Sequence, residues 1–190
     1  MTIRRTLGLS FCILALGVSA ISSAREGDSG KGTNIGIRGG VYFPTNSEIR
    51  DIFGSNIIVV GLSFDDFSKQ ADNWKIKADF DFITGKDGSN KFFAMPVTAS
   101  IGQVYGNPGD SYRPFIRFGA GTAYFDYSIT RPSNSTRYSS KRFGFSADAE
   151  VGVIVGTKLR LSAKYVWLSK VDNFDFGGLQ LTATYNILKF

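Results

Sequence analysis

Apolar and charged residues alternate without a slip along one short segment: Trp74, Ile76, Ala78, Phe80 and Phe82 hold one parity, Lys75, Lys77, Asp79 and Asp81 the other. Successive strand side chains point to opposite faces, so this is a strand with one apolar and one charged face. The pattern recurs before and after it. Ile35, Ile37, Gly39, Val41 and Phe43 oppose Asn34, Gly36, Arg38, Gly40 and Tyr42, and Ile58, Val60, Leu62 and Phe64 oppose Val59, Gly61, Ser63 and Asp65. A fourth strand starts near Phe92, with Phe93, Met95, Val97, Ala99 and Ile101 facing away from Ala94, Thr98, Ser100 and Gly102. Pro96 lies inside it and lacks a ladder donor, which predicts a bulge or a local gap.

Four further strands follow the same rule. Pro114, Ile116, Phe118, Ala120, Thr122 and Tyr124 oppose Arg113, Phe115, Arg117, Gly119, Gly121 and Ala123. Phe143, Phe145, Ala147, Ala149, Val151 and Val153 oppose Arg142, Gly144, Ser146, Asp148, Glu150 and Gly152. The last two carry Leu159 to Trp167 and Leu179 to Ile187 as apolar sets, against Arg160, Ser162 and Lys164, then Gln180, Thr182, Thr184 and Asn186. An even number of antiparallel strands places both chain ends on one side.

Alternation alone does not say which face is inside, because a soluble lipocalin-like barrel has the same period with an apolar interior. Residue size does. The polar face holds Gly36, Gly40, Gly61, Gly102, Gly119, Gly121, Gly144 and Gly152 with several serines. Glycine weakens strands and gains nothing on a watery surface. A cramped lumen that must fit charged side chains needs small neighbours. The fold class is therefore all-β, an eight-stranded antiparallel up-and-down transmembrane β-barrel with its apolar face outward.

The connections support that placement. With both ends on the inner side, the external loops run from Pro44 to Ser55, Gly85 to Asn90, Asp126 to Lys141 and Ser169 to Asp175, and the opposite turns are shorter on average. In the first external loop, Thr45-Asn46-Ser47-Glu48 reads as a capping box before Ile49, Ile52 and Phe53 at helical spacing, which predicts a short amphipathic helix at the rim. It either covers the lumen mouth or binds lipid or a small apolar ligand. Arg131, Arg137 and Lys141, in and beside the longest loop, are candidates for contact with surface phosphates; a solvated loop carries the same residues.

Charge inside a narrow barrel must neutralise itself. Asp79 and Asp81 stand about 7 Å apart on one face, a spacing open to a metal or to acid–base work. Cations share their side of the barrel, and a lumen ion-pair network of Arg38, Lys75, Lys77, Asp79, Asp81, Arg117, Asp148, Glu150, Arg160 and Lys164 is the expected use of these residues. Such a network is a structural plug, since eight strands leave little lumen.

The N-terminus changes the compartment. Arg4 and Arg5 precede an apolar run from Leu7 to Ile21, and Ser22-Ser23-Ala24 offers small residues for cleavage. The run is shorter than the roughly 20 residues of a spanning helix, so residues 1–24 read as a signal peptide, 25–33 as a flexible polar leader and 34–190 as the barrel domain. Cys12 is the only cysteine and leaves with the signal, taking thiolate chemistry with it. Without Arg4 and Arg5 the formal charge falls from +6 to +4, a mild excess suited to anionic lipid, with no basic helix or stacked platform for nucleic acid. The chain contains no histidine, which rules out a Ser-His-Asp triad. No residue spacing marks a catalytic, cofactor or metal site.

The segment Arg113-Pro114-Phe115-Ile116-Arg117-Phe118-Gly119-Ala120-Gly121-Thr122-Ala123-Tyr124 resembles the recurrent Arg-Pro-Tyr-hydrophobic-Gly-x-Gly-x-x-Tyr strand of the outer-membrane β-barrel domain superfamily, the small OmpA, OmpX and OmpW type, and the chain ends on Phe190 as substrates of the barrel insertion machinery do. The parity departs from that family: the last apolar set is odd-numbered and Phe190 is even, so either the strand is bulged near Leu188 or Phe190 is not a full insertion signal. The resemblance implies location in the cell outer membrane, contact with membrane lipid and with the insertion machinery, no enzymatic activity and a structural or surface-interaction role around a packed polar lumen. The ligand stays unknown. Two alternatives remain open at this point: a narrow channel or carrier for small apolar molecules, as OmpW-like members are proposed to be, and a soluble lipocalin-like periplasmic lipid carrier.

Overall fold

The computed structural model describes residues 34–64, 76–107, 109–133 and 135–189. The expected signal peptide and leader, together with Trp74, Lys75 and Phe190, lie outside them. Eight strands follow one another around a closed barrel, each paired antiparallel with its neighbours in sequence and β1 with β8. They are β1 (Asn34–Pro44), β2 (Ile57–Phe64), β3 (Lys77–Asp87), β4 (Asn90–Val104), β5 (Tyr112–Thr130), β6 (Arg137–Val155), β7 (Leu159–Leu168) and β8 (Gly178–Lys189). One helix, α1 (Ser47–Phe53), joins β1 to β2.

The faces are apolar out and charged in. Ile76 is 77% exposed, whereas Asp79 is 3% and Lys164 2% exposed. Ile58, Val60, Phe118, Phe145, Val151 and Leu181 are likewise exposed on the outer wall. A soluble carrier with an oily interior and a wet exterior is overturned by this orientation, because water would meet a continuous sheet of aliphatic and aromatic surface.

Small residues let the wall close tightly. A Cβ built on Gly61 would stand 2.5 Å from Asp81 Oδ1, and one on Gly119 2.6 Å from Asp148 Oδ2. At Pro96 the β3–β4 ladder has a gap opposite Asp81 and Phe82, while the register on either side is unchanged and Pro96 still faces Ala123 of β5. In the β1–β8 pair Gly36 faces Asn186 and Ile35 faces Leu188, so Ile187 is skipped. A bulge thus reverses the parity of β8 near its end.

Two expectations need correction. The stretch from Asp126 to Lys141 is largely strand: β5 and β6 stay paired out to Thr130 and Arg137, leaving a turn of 131–136. Phe125, Tyr127 and Ile129 on its inner face are fully buried, and that burial holds the two strands together beyond the barrel wall. The cap of α1 is Asn46 rather than Thr45, with Asn46 Oδ1 accepting from Glu48 N at 2.8 Å and Ile49 N at 3.3 Å. Thr45 donates through N and Oγ1 to the Gly177 carbonyl instead.

Candidate functional site

The barrel interior has two layers. Nearer the chain ends it is ionic. Arg38 on β1 spans two carboxylates of β3, with Nη2 2.8 Å from Asp79 Oδ1 and Nη1 2.8 Å from Asp81 Oδ1, while its Nε donates to Thr184 Oγ1 on β8 at 3.3 Å. Arg117 on β5 donates to Asp79 and Ser100 and lies 3.6 Å from Glu150 of β6. Arg160 on β7 stands 3.9 Å from both Asp79 and Glu150 and donates to Ser63 Oγ at 3.1 Å. Lys164 donates to Asp81.

Asp79 therefore meets three guanidinium groups from three different strands. All seven of these side chains are buried, and Asp148, buried beside Gly119, brings this layer to four cations and four carboxylates. Buried ions persist only when paired. Here β1, β3, β5, β6 and β7 contribute charges whose partners lie on other strands, so these strands cannot part without separating them. Lys77 stands half-buried at the start of β3, in register with Ser100, and Lys75 falls outside the described residues.

Below this layer Arg113, on the inner face by strand alternation, is fully buried and donates to the Gly156 carbonyl at 3.5 Å. Phe115 and Ile154 pack beside it, and the Arg160 guanidinium carbon lies 5.7 Å from the Phe115 ring centroid.

The other half of the lumen is oily, which corrects the expectation of a polar lumen throughout. Val59, Ile83, Phe92, Ala94, Phe125, Tyr127 and Ile129 point inward from the wall and pack on Ile49 and Ile52 of α1 and on Val171, Phe174 and Phe176 of the β7–β8 loop. Phe92 and Phe176 stack with centroids 5.0 Å apart. Tyr42 donates its hydroxyl to the Phe176 carbonyl, and Tyr127 donates to Asp172. The signal was present in the sequence: the inner-face sets of β1 to β5 and of β7 turn aromatic or aliphatic towards the α1 end, as at Tyr42, Val59, Ile83, Phe92, Phe125 and Val166.

The basic rim residues are held in different ways. Arg131 Nε donates to Glu48 Oε1 at 2.7 Å, with its guanidinium over the rings of Tyr138 and Phe174. Lys141 Nζ lies 3.3 Å from Asp126 Oδ2 and is 70% exposed, and Arg142 Nη2 lies 2.8 Å from Asp172 Oδ1. Arg137 donates from Nε to Ser128 Oγ at 3.0 Å and from Nη2 to the Ser89 carbonyl at 3.4 Å.

Among solved structures, the N-terminal β-barrel domain of Pseudomonas aeruginosa OprF is similar at 11% identity, covering 83% of this chain and 100% of that one with a TM-score of 0.54. Neisserial surface protein A is similar at 11% identity over 85% and 100%, TM-score 0.53. The outer membrane enzyme PagL is similar at 16% identity over 80% and 99%, TM-score 0.53. These likenesses show the fold. No curated protein sequence matches the chain. Residues 9–186 match the profile of the outer membrane protein beta-barrel domain. A lipid-facing wall of this kind has its place in the bacterial outer membrane, and with that match over most of its length the chain belongs to the outer membrane protein beta-barrel domain family.

Proposed function

We propose that the protein is a closed, non-conducting outer-membrane barrel whose work is structural or is done by its external surface. One observation carries this reading: an ionic layer and an aromatic plug stand one above the other along the lumen axis, so neither a hydrated ion nor an apolar solute has a continuous path. A polar solute would have to enter the oily half, and an apolar one would have to cross paired charge. Planar-bilayer recording and liposome swelling on the purified protein test it. Flat current traces and no swelling are expected; resolved conductance steps or swelling would overturn it.

The oily external half and α1 favour a second reading, a carrier that admits small apolar molecules at the rim. It requires the plug to move. Phe174→Ala combined with Phe176→Ala should leave uptake of an apolar dye into vesicles unchanged if the plug is structural, and raise it if the plug is a gate. PagL is an enzyme on a similar fold, but this chain contains no histidine to act as a base, and we assign it no enzymatic role. Export by a signal peptide cleaved after Ala24, and recognition of β8 by the insertion machinery with its parity reset at Ile187, complete the proposal. Heat-modifiable migration in a gel is the quick check of assembly.

A further inference from the structure

We propose that Lys86, Lys91 and Arg137 form a binding site for the phosphate of a phosphorylated lipid in the external leaflet. Lys86 and Lys91 face each other directly across the β3–β4 ladder, and both are exposed. Like charges directly opposite on one sheet face destabilise it. The next residue in that row, Ser128, faces Lys91 from β5 and accepts from Arg137 Nε at 3.0 Å, and Arg137 Nη2 reaches on to the Ser89 carbonyl at 3.4 Å. Three cations thus gather around one turn. Among the described residues none of the three has a carboxylate within ion-pairing distance, whereas Arg131, Lys141 and Arg142 each have one. Asp87, the nearest acid in sequence, belongs by parity to the other face of the hairpin.

What lies beneath the cations selects the ligand. Parity sets all three on the outer wall, directly above a chain of rings running Phe82, Phe93, Tyr124 and Phe143, with successive centroids 6.3, 6.5 and 5.2 Å apart. Aromatic girdles mark the boundary between hydrocarbon and headgroups. A phosphate at Lys86 and Lys91 therefore sits at headgroup level with its acyl chains against those rings. A phosphomonoester offers three acceptor oxygens and enough negative charge to relieve the repulsion.

The inference rests on the membrane placement and is independent of whether the lumen conducts. Protein reconstituted in phosphatidylcholine vesicles is titrated with fluorescent phosphatidic acid. Lys86→Gln, Lys91→Gln and Arg137→Gln should each weaken binding about fivefold, since a cation near a membrane surface contributes about that much. The double variant at Lys86 and Lys91 should melt no lower than the parent in pure phosphatidylcholine, because the change removes a repulsion rather than a support. Unchanged binding in the variants would overturn the proposal, and so would inorganic phosphate competing as well as the lipid does, which would make the free ion the ligand.

Discussion

Arg131 Nε lies 2.7 Å from Glu48 Oε1, which ties the tip of the β5–β6 hairpin to α1. The carbon of the same guanidinium is 4.7 Å from the centroid of Phe174 and 5.1 Å from that of Tyr138, so one side chain joins α1, β6 and the β7–β8 loop. A surface ion pair alone contributes little. Stacking on two rings while bonded to a carboxylate adds a desolvated cation–π contribution of up to about 2 kcal/mol.

Arg131→Ala should therefore loosen the plug without dissolving the barrel. Amides of α1 should exchange with deuterium about tenfold faster, as expected for a local loss near 1.4 kcal/mol, while those of β5 and β6 below Tyr124 keep their protection. Arg131→Lys should recover only part, since an ammonium cannot lie flat between two rings while it bonds Glu48. Equal protection of α1 in all three proteins would refute this role.

In the ionic layer the decisive residue is Asp79. Asp79→Asn leaves Arg38, Arg117 and Arg160 facing one another with a carboxylate missing, and breaking a buried network from one side costs about 3–5 kcal/mol. Urea unfolding in lipid vesicles should show that loss, and the loss should barely change with salt, because screening does not reach buried pairs. Asp148→Asn should lose much less, since Asp148 takes part in none of the ion pairs around Asp79. A smaller penalty at Asp79 than at Asp148 would contradict the geometry.

How much of this could be read in advance depended on period and size. Strand alternation placed Arg38, Asp79, Asp81, Arg117, Glu150, Arg160 and Lys164 on one face, and closure of eight strands brings them together because a barrel that narrow has a single interior. The plug was harder to see. Phe174 and Phe176 lie in a loop with no periodic neighbour, and their burial depends on where that loop folds back, a long-range matter that local pattern does not encode. Thr45 looked like a cap because Glu48 follows three residues on; tertiary contact with Gly177 claimed Thr45, and Asn46 took the cap. The hairpin beyond Asp126 carries serines and charges, although Tyr127 and Ile129 on the inner parity of β5 and Tyr138 on that of β6 are apolar.

Two glycines on adjacent strands give opposite signs for one substitution. A Cβ on Gly61 would meet Asp81 Oδ1 and the Phe80 carbonyl oxygen, each at 2.5 Å, within the ionic layer. Gly61→Ala should cost about 1–3 kcal/mol through overpacking. Gly39, on β1 opposite Val60 and facing outward, has no atom within 4 Å of the added position. Gly39→Ala should be neutral or stabilise by a few tenths to about 1 kcal/mol by restricting the unfolded chain. Thermal melting of the two variants in the same vesicles checks both, and a Gly61→Ala protein as stable as the parent would mean that the lumen has room to spare.

The outward face makes the sharpest demand of all. Val60 lies midway along β2 between Ile58 and Leu62, is 51% exposed, and pairs with Gly39. If hydrocarbon surrounds it, Val60→Arg puts a charge near the middle of the bilayer, which costs about 2–4 kcal/mol in barrels of this kind. Moved to the end of the same wall, at Ile76, the same charge can reach the headgroups and should cost about 0–1 kcal/mol. Water on that face would make both changes neutral, because an exposed arginine on a wet strand loses nothing. A depth-dependent penalty in vesicles, absent from a matched charge reversal at exposed Lys158 in the β6–β7 turn, therefore separates a lipid-facing wall from a soluble one by its gradient rather than by its size.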